Sequence, residues 1–259
     1  MEKRKSYAVI TGASSGLGVE FARRLSAEGF NIILVARRKE RLEALAKELD
    51  VIGTKTIVFS ADLSDLSQCR KLVEFISDKR IAIFINNAGF GICGSFLETD
   101  NEKELSMIDV NVKAVHYLTK EVLAMMNRRD YGYILNVASS AGLISAGPYM
   151  STYYATKSYV TSLTRGIAEE LRQKQSKVYV GCLCPGPVDT EFDDVADVKF
   201  SLKGISASYC ANYAIDKMKK KKIVIIPTLS IKAVSLFSRF LPQKICIRMV
   251  SHQQKKKFE

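Results

Sequence analysis

Short runs of continuous apolar residues alternate along this chain with segments whose apolar positions recur every three or four residues. The continuous runs fall near 7–10, 31–35, 56–60, 81–86, 132–137, 177–184 and 223–227. Apolar runs of this length, bounded by turn residues, predict buried strands. Segments between them, such as Leu17 to Glu28 with Leu17, Phe21, Ala22 and Leu25 on one face, predict amphipathic helices. Strands without polar alternation are covered on both faces, and their regular alternation with helices predicts a parallel sheet. The expectation is therefore an α/β fold: a doubly wound parallel sheet of seven strands with helices on both faces, in a single domain. A ligand of such a sheet binds beyond the carboxyl ends of the strands.

Composition fits that picture until charge is considered. The 259 residues are 47% hydrophobic and 25% charged, ordinary for a globular chain long enough to bury one large core. Cysteines at 69, 93, 182, 184, 210 and 246 have neither zinc-site spacing nor the density of a disulfide scaffold, so all six are expected to be reduced. His116 and His252 are too few for a histidine-based metal site or triad, and no metal is expected. The basic start Met1 to Lys5 precedes only four apolar residues, too short a run for a secretory signal, which points to the cytoplasm. Residues 217 to 257 hold twelve Lys or Arg and no Asp or Glu, against a net charge of +12 for the whole chain. The entire imbalance belongs to one C-terminal segment.

Three local patterns carry chemistry. The first follows the strand at 7–10: Thr11-Gly12-Ala13-Ser14-Ser15-Gly16-Leu17-Gly18 opens a helix. A strand, a glycine turn and a helix N-terminus let backbone approach an anion and offer it unpaired N–H groups, as dinucleotide pyrophosphates require. Second, Arg37 and Arg38 end the strand at 31–35, where a dinucleotide fold places the adenosine ribose. Arginines there match a 2′-phosphate and favour NADP(H), although both also fit the exposed start of the helix Lys39 to Leu49. Third, Tyr153 and Lys157 stand four residues apart on a predicted helix, with Ser140 thirteen residues upstream. A lysine one turn from a tyrosine can favour the phenolate and let the phenol exchange a proton with a substrate oxygen. Tyr154 is out of phase with Lys157 and is expected to pack on another face.

These patterns resemble the classical short-chain dehydrogenase/reductases, through the glycine turn at 11–18, Asn86-Asn87-Ala88-Gly89, Asn111, Ser140, Tyr153-x-x-x-Lys157 and Pro185-Gly186-Pro187-Val188-Asp189-Thr190. The match covers roughly residues 5 to 227 and implies a Rossmann-like catalytic domain over 1–227, with 228–259 as a basic amphipathic extension packed on or beside it. It implies that Tyr153 is the general acid or base, Ser140 holds the substrate oxygen, Lys157 binds the nicotinamide ribose, and Asn111 holds a water behind Lys157. Asn111 also has a purely structural reading, inside a helix expected from about Glu102 to Met126. The cofactor NADP(H) would lie against Gly12, Ser14, Ser15, Gly16, Leu17, Gly18, Arg37, Arg38, Asp62, Leu63, Asn87, Ala88, Gly89, Tyr153, Lys157, Pro185, Gly186, Val188 and Thr190. The resemblance further implies a homodimer or homotetramer.

The substrate side is expected to be apolar, with Phe90, Ile92, Cys93, Leu143, Tyr149 and Met150 as candidates, which suits a hydrophobic ketone or its secondary alcohol, steroid-like or long-chain. Glu191, Asp193, Asp194 and Asp197 disfavour a strongly anionic substrate, or else form a solvated lid. A 3-oxoacyl thioester reductase is the second enzymatic reading. A non-catalytic NADP(H) sensor is the third, and a complete Asn-Ser-Tyr-Lys set weighs against it. In the tail, Ala233, Val234, Phe237, Phe240 and Leu241 form an apolar stripe beside Lys232 and Arg239, interrupted by Pro242. Such a segment fits peripheral contact with an anionic membrane, or a cap on the cleft or a subunit interface. It lacks the aromatic interleaving of a nucleic-acid site.

Overall fold

The computed structural model describes residues 6–51, 53–192, 204–238 and 240–255. Its strands are β1 (Tyr7–Thr11), β2 (Asn31–Ala36), β3 (Thr56–Ser60), β4 (Ile81–Asn86), β5 (Tyr133–Val137), β6 (Tyr179–Leu183), β7 (Val188–Asp189), β8 (Ile205–Ser206) and β9 (Val224–Ile225). Seven of them form one sheet in the order β3-β2-β1-β4-β5-β6-β9, every neighbouring pair parallel. The chain winds outward from β1 to β3, then crosses back to β4 and winds the other way. The doubly wound sheet expected from the apolar runs is thus the one observed. A separate parallel pair, β7 with β8, was not foreseen, because two residues per strand leave no periodicity to read.

Period-two alternation distributes each strand between two cores. Ala8, Ile10, Ile32 and Leu34 face helices α1 (Gly16–Ala27) and α2 (Lys39–Val51) through Phe21, Leu25, Leu42 and Leu49. Val9, Ile33, Val35 and Phe84 face α3 (Leu66–Ile76) through Cys69, Leu72 and Ile76. Fully buried side chains such as Phe21 and Phe84 each contribute about 1.5–3 kcal/mol relative to exposure.

Polar atoms also bind the two halves of the sheet. Asn86 on β4 and Asn136 on β5 are register partners, and Asn86 Nδ2 donates to Asn136 Oδ1 at 2.9 Å. Asn136 Oδ1 also accepts from Thr119 Oγ1 at 3.1 Å, while Asn136 Nδ2 donates to Thr164 Oγ1 at 3.0 Å. All four residues are buried, so this network pins the helices carrying Thr119 and Thr164 onto the strands.

The helix expected over Glu102 to Met126 is not uniform. It consists of α4 (Asn101–Ile108), a π-helical turn at Asp109–Ala114 and α5 (Val115–Asn127). The wider turn lets Asn111 leave the regular ladder and reach the neighbouring loop, which periodicity cannot anticipate. Helix α6 (Ser151–Gln173) carries the Tyr-Lys pair, and α7 (Ala207–Lys219) completes the first face.

The chain ends in α8 (Leu229–Phe237) and α9 (Gln243–Lys255), separated by the turn at Pro242. Ser235 is the buried residue of α8, whereas Val234, Phe237, Phe240 and Leu241 of the predicted stripe are exposed. Ile231, one turn before Ser235, meets the Gly186 loop, so α8 presents that side to the core and turns the stripe outward. Of the residues read from sequence, Asp193, Asp194, Asp197 and Arg239 lie outside those described.

Candidate active site

The carboxyl ends of β1, β4 and β5 open into a cleft of about 400 Å³. It is lined by the glycine turn, the loop after β4, the turn after β5, α6 and the loop after β6. Every cofactor residue proposed from the sequence lines it except Gly18. Gly18 is buried in α1, where a side chain would run into the Gly12 carbonyl; its smallness brings helix and turn together instead.

The cleft fits a dinucleotide on three counts. Ser15 stands in extended backbone at the N-cap of α1, yet its hydroxyl makes no capping bond. That hydroxyl accepts from Arg38 Nη2 at 2.8 Å, and Ser14 Oγ accepts from Arg38 Nε at 3.1 Å. The first turn of α1 has no side-chain cap and no acidic residue, which suits its N-terminus to an anion, although the Gly18 N–H is taken by Ser15 O at 3.2 Å. Second, Asn87 Nδ2 donates to the carbonyls of Thr11 and Gly12 at 3.0 and 3.1 Å, tying the β4 loop to the glycine turn. Third, Arg37, Arg38 and Arg41 gather where the ribose end is expected. Arg38 and Arg41 share Glu191, at 3.0 and 2.6 Å, while Arg37 lies 3.8 Å from Asp62. Arg41 and Glu191 were not proposed for this site: Arg41 reads as an ordinary polar helix position, and Glu191 as part of an acidic loop.

At the other end Lys157 and Asn111 converge on Gly89, with the Tyr153 ring against nearby Gly91. An added Cβ at Gly89 would stand 2.8 Å from Asn111 Oδ1 and 3.2 Å from Lys157 Nζ, so any larger residue would invade the site. Asn111 is fully buried; its Oδ1 accepts from Phe90 N at 3.1 Å, and its Nδ2 donates to Phe90 O at 2.8 Å and Thr156 Oγ1 at 3.1 Å. Lys157 Nζ donates to Val137 O at 3.0 Å and sits 5.7 Å from the Tyr153 ring centroid.

Two expectations bear on Tyr153. Ser139 and Ser140 both line the cleft, and it is a hydrogen bond with the Ser139 side chain that counters the burial of the Tyr153 phenol. Ser139 is the N-cap, in extended backbone, of the 3-10 turn Ser140–Leu143, and its Oγ accepts from Ala141 N at 3.1 Å, whereas Ser140 donates its backbone N–H to Pro185 O at 2.7 Å. Counting thirteen residues back from Tyr153 crosses irregular backbone, where no period sets the phase. The second concerns charge. Burial pushes Tyr153 up to about 12, with the Ser139 hydrogen bond opposing it, and burial drives Lys157 down to about 8. Burial of both groups works against the help that Lys157 is expected to give the phenolate.

On the substrate side, Phe90 and Met150 line the cleft, while Ile92 and Cys93 pack with Phe90 against the cluster of Met107, Ala141, Met150 and Tyr153. Leu143 does not join them. Side chains three apart in a 3-10 turn eclipse, so Leu143 follows Ser140 and packs with Val115, Val160 and Cys184. Tyr149, at φ +65°, is not among the lining residues; its ring instead receives Lys255 Nζ at 5.9 Å. Tyr154 does line the cleft rather than simply packing, and its hydroxyl accepts from Gln254 Nε2 of α9 at 2.8 Å. Gln254 had no visible signal, since nothing in a basic tail says which residue folds back over the site.

Comparison with known proteins agrees with this geometry. The chain is 36% identical over 184 residues to a very-long-chain 3-oxoacyl-CoA reductase of Neurospora crassa, an alignment covering 69% of this chain and 55% of that protein. The chain thus spans about half the length of such relatives. A short-chain dehydrogenase from Sphingobium yanoikuyae in complex with NADPH superposes with a TM-score of 0.82 at 30% identity, covering 91% of this chain and 93% of that one. A short chain dehydrogenase/reductase from Burkholderia phymatum in complex with NAD gives 0.82 at 25%, with the same coverage. The bulky-bulky ketone specific alcohol dehydrogenase from Comamonas testosteroni gives 0.75 at 28%, covering 92% and 95%. The family model for short chain dehydrogenases matches residues 6–198. The chain belongs to the short-chain dehydrogenase/reductase family.

Proposed function

We propose that this protein is an NADP(H)-dependent oxidoreductase interconverting a hydrophobic ketone and its secondary alcohol, steroid-like or long-chain. The observation that carries the reading is the convergence of Tyr153, Ser139, Lys157 and Asn111 at the end of a dinucleotide-shaped cleft. When bound, the nicotinamide supplies or accepts a hydride at the carbonyl carbon. Tyr153, protonated at neutral pH, hands its phenolic proton to the carbonyl oxygen in the reductive direction and recovers it in the oxidative one. The Ser139 hydroxyl, bonded to Tyr153, holds the same oxygen in the place first assigned to Ser140. Lys157 brings positive charge beneath the phenol, and Asn111 fixes the Phe90 loop that borders it.

Selection of NADP(H) over NAD(H) rests on Arg37, Arg38 and Arg41, whose guanidinium groups suit a 2′-phosphate. Glu191 now shares two of them and would have to yield that place. A 3-oxoacyl thioester is the second substrate reading, favoured by the name of the Neurospora relative and compatible with the same apolar wall. We further propose that the basic extension touches an anionic membrane surface and that the protein works in the cytoplasm as a homo-oligomer.

A panel of aliphatic, steroid and 3-oxoacyl ketones, run with NADPH and with NADH, tests the reading. The expected result is NADPH-preferring reduction of apolar members that falls by at least about 10²-fold in Tyr153→Phe. Undiminished turnover by that variant removes the mechanism, and equal use of NADH removes the cofactor assignment.

A further inference from the structure

The wall of the cleft contains a hydrogen-bonding group whose capacity is unfilled. Gln254 is 4% exposed and lines the cleft, yet its Oε1 has no partner among the described residues. Its other polar atom, Nε2, donates to the Tyr154 hydroxyl at 2.8 Å. That bond uses Tyr154 as an acceptor, and none of the described residues receives the Tyr154 proton. Among the described residues the pair therefore has one unmatched acceptor and one unmatched donor side by side, close to the proposed chemistry: the Tyr154 and Tyr153 ring centroids lie 6.4 Å apart.

A buried orphan acceptor costs about 1–3 kcal/mol. An exposed helix end such as α9 has cheaper ways to place a glutamine, since a small rotation would return the amide to water. Unfilled polar capacity inside a ligand cleft is satisfied when a ligand arrives. A group that both donates and accepts fills both vacancies at once, and a charged group would suffer desolvation there. We propose that Tyr154 and Gln254 form a substrate-specificity site, reading a neutral hydroxyl or secondary amide held several ångströms from the reacting carbonyl.

This inference rests on the reductase reading only for the identity of the reacting group. It makes α9 part of the substrate site. It also asks of the substrate something that an apolar wall does not, namely one polar group at a set distance from the ketone. Sites built to bond a substrate hydroxyl or N–H discriminate strongly against analogues that lack it, because their own groups are then left unpaired.

The test uses the full chain with NADPH and two graded series of straight-chain ketones, one ending in a hydroxyl and one in an N-acetylamino group. Each member is paired with the unsubstituted ketone of equal length. The expected result is that one chain length in either series exceeds its partner in kcat/KM by about 10-fold or more, through KM. Gln254→Leu and Tyr154→Phe should each bring that ratio towards one. Calorimetric binding of the same pairs to the NADPH complex keeps the two readings apart. Preferential binding that depends on Gln254 but comes without turnover would retain the site and remove the reductase reading. Should Gln254→Leu fail to fold, Tyr154→Phe decides alone, since it keeps the ring. The proposal is overturned if no member of either series outperforms its partner, or if the preference survives both substitutions.

Discussion

At the scale of single residues, two adjacent serines and one lysine give the sharpest predictions. Ser139 is bonded to Tyr153, and Ser140 directs its N–H to Pro185. Losing one donor to a developing oxyanion typically costs about 10²–10³ in kcat, so Ser139→Ala should fall by that much and Ser140→Ala by only a few-fold. Steady-state kinetics on the best ketone of the panel decides between them, and the reverse order would return the role to Ser140. Lys157 makes a separate prediction, because its folded pKa is about 8 against a usual 10.5. Between those values the unfolded state binds the extra proton, so stability should rise with pH across that window, and the penalty is fully present below it. Removing the charge in Lys157→Met should stabilise the cofactor-free protein at pH 7 by about 3 kcal/mol. It should also flatten the rise between pH 8 and 10.5, as thermal melts across that range will show. The same ammonium attracts an anionic dinucleotide, so NADPH affinity should weaken as pH climbs through about 8 in the wild type and not in the variant. A lysine that lowers stability and assists binding is where function and folding compete.

At the scale of elements, the Asn86–Thr119–Asn136–Thr164 network shows how polar groups fix what apolar layers leave free. Asn136→Leu would delete three hydrogen bonds, leaving the Thr119 hydroxyl proton buried without an acceptor and Asn86 Nδ2 with its bond to Thr119 Oγ1 alone. The expected cost is about 3–5 kcal/mol, and a fall in Tm of roughly 10 °C. Asn86→Leu with Asn136→Leu should cost less than the sum of the two, since it removes both ends of one bond. Chemical denaturation of the four proteins measures the coupling, and strict additivity would mean that the network is incidental. The same elements show what can be read from a chain. Continuous apolar runs predicted all seven strands of the main sheet, because burial on both faces leaves a signature in each strand alone. Glycine spacing likewise placed the tight turn between β1 and α1, since close approach of backbone excludes side chains locally. Features that depended on phase through irregular backbone were not legible. The irregular 140–150 loop sets no phase between the two serines and Tyr153, and the π-turn that frees Asn111 looks in sequence like ordinary helix. Leu143 reads as a lining residue until the 3-10 turn is known. Gln254 reaches Tyr154 from a hundred positions away, and no local pattern announces such a contact.

At the scale of the molecule, charge and exposed apolar surface coincide. The C-terminal segment holds twelve basic residues from 217 to 257 and none of the acidic ones, which leaves the remainder neutral. On it stand Leu229, Val234, Leu236, Phe237, Phe240, Leu241, Ile245 and Met249, all exposed, with Phe240 at 78% and Phe237 at 65%. An apolar patch on a monomer marks a contact surface, and here charge favours one kind of contact. A symmetric dimer through this face would set two like-charged surfaces against each other, because an isologous interface pairs each patch with its own copy. An anionic lipid surface instead gains about 1 kcal/mol per nearby Lys or Arg, while the aromatic rings enter the boundary of the acyl layer. No helix among the described residues is long and apolar enough to cross a membrane, so the contact would be peripheral. The protein should co-sediment with phosphatidylserine vesicles and not with phosphatidylcholine alone. Raising salt from about 0.1 M to 1 M, which shortens the screening length from about 10 to 3 Å, should release most of it. Phe237→Glu with Phe240→Glu should abolish what binding remains, while sedimentation velocity reports an unchanged assembly state. Loss of oligomers in that variant, with vesicle binding intact, would assign the patch to a subunit interface instead. Because α9 also reaches Tyr154, a lipid contact through this face would share one element with the cleft wall. Vesicles should therefore lower KM for long-chain ketones more than for short ones, and equal KM values with and without vesicles would separate the two roles.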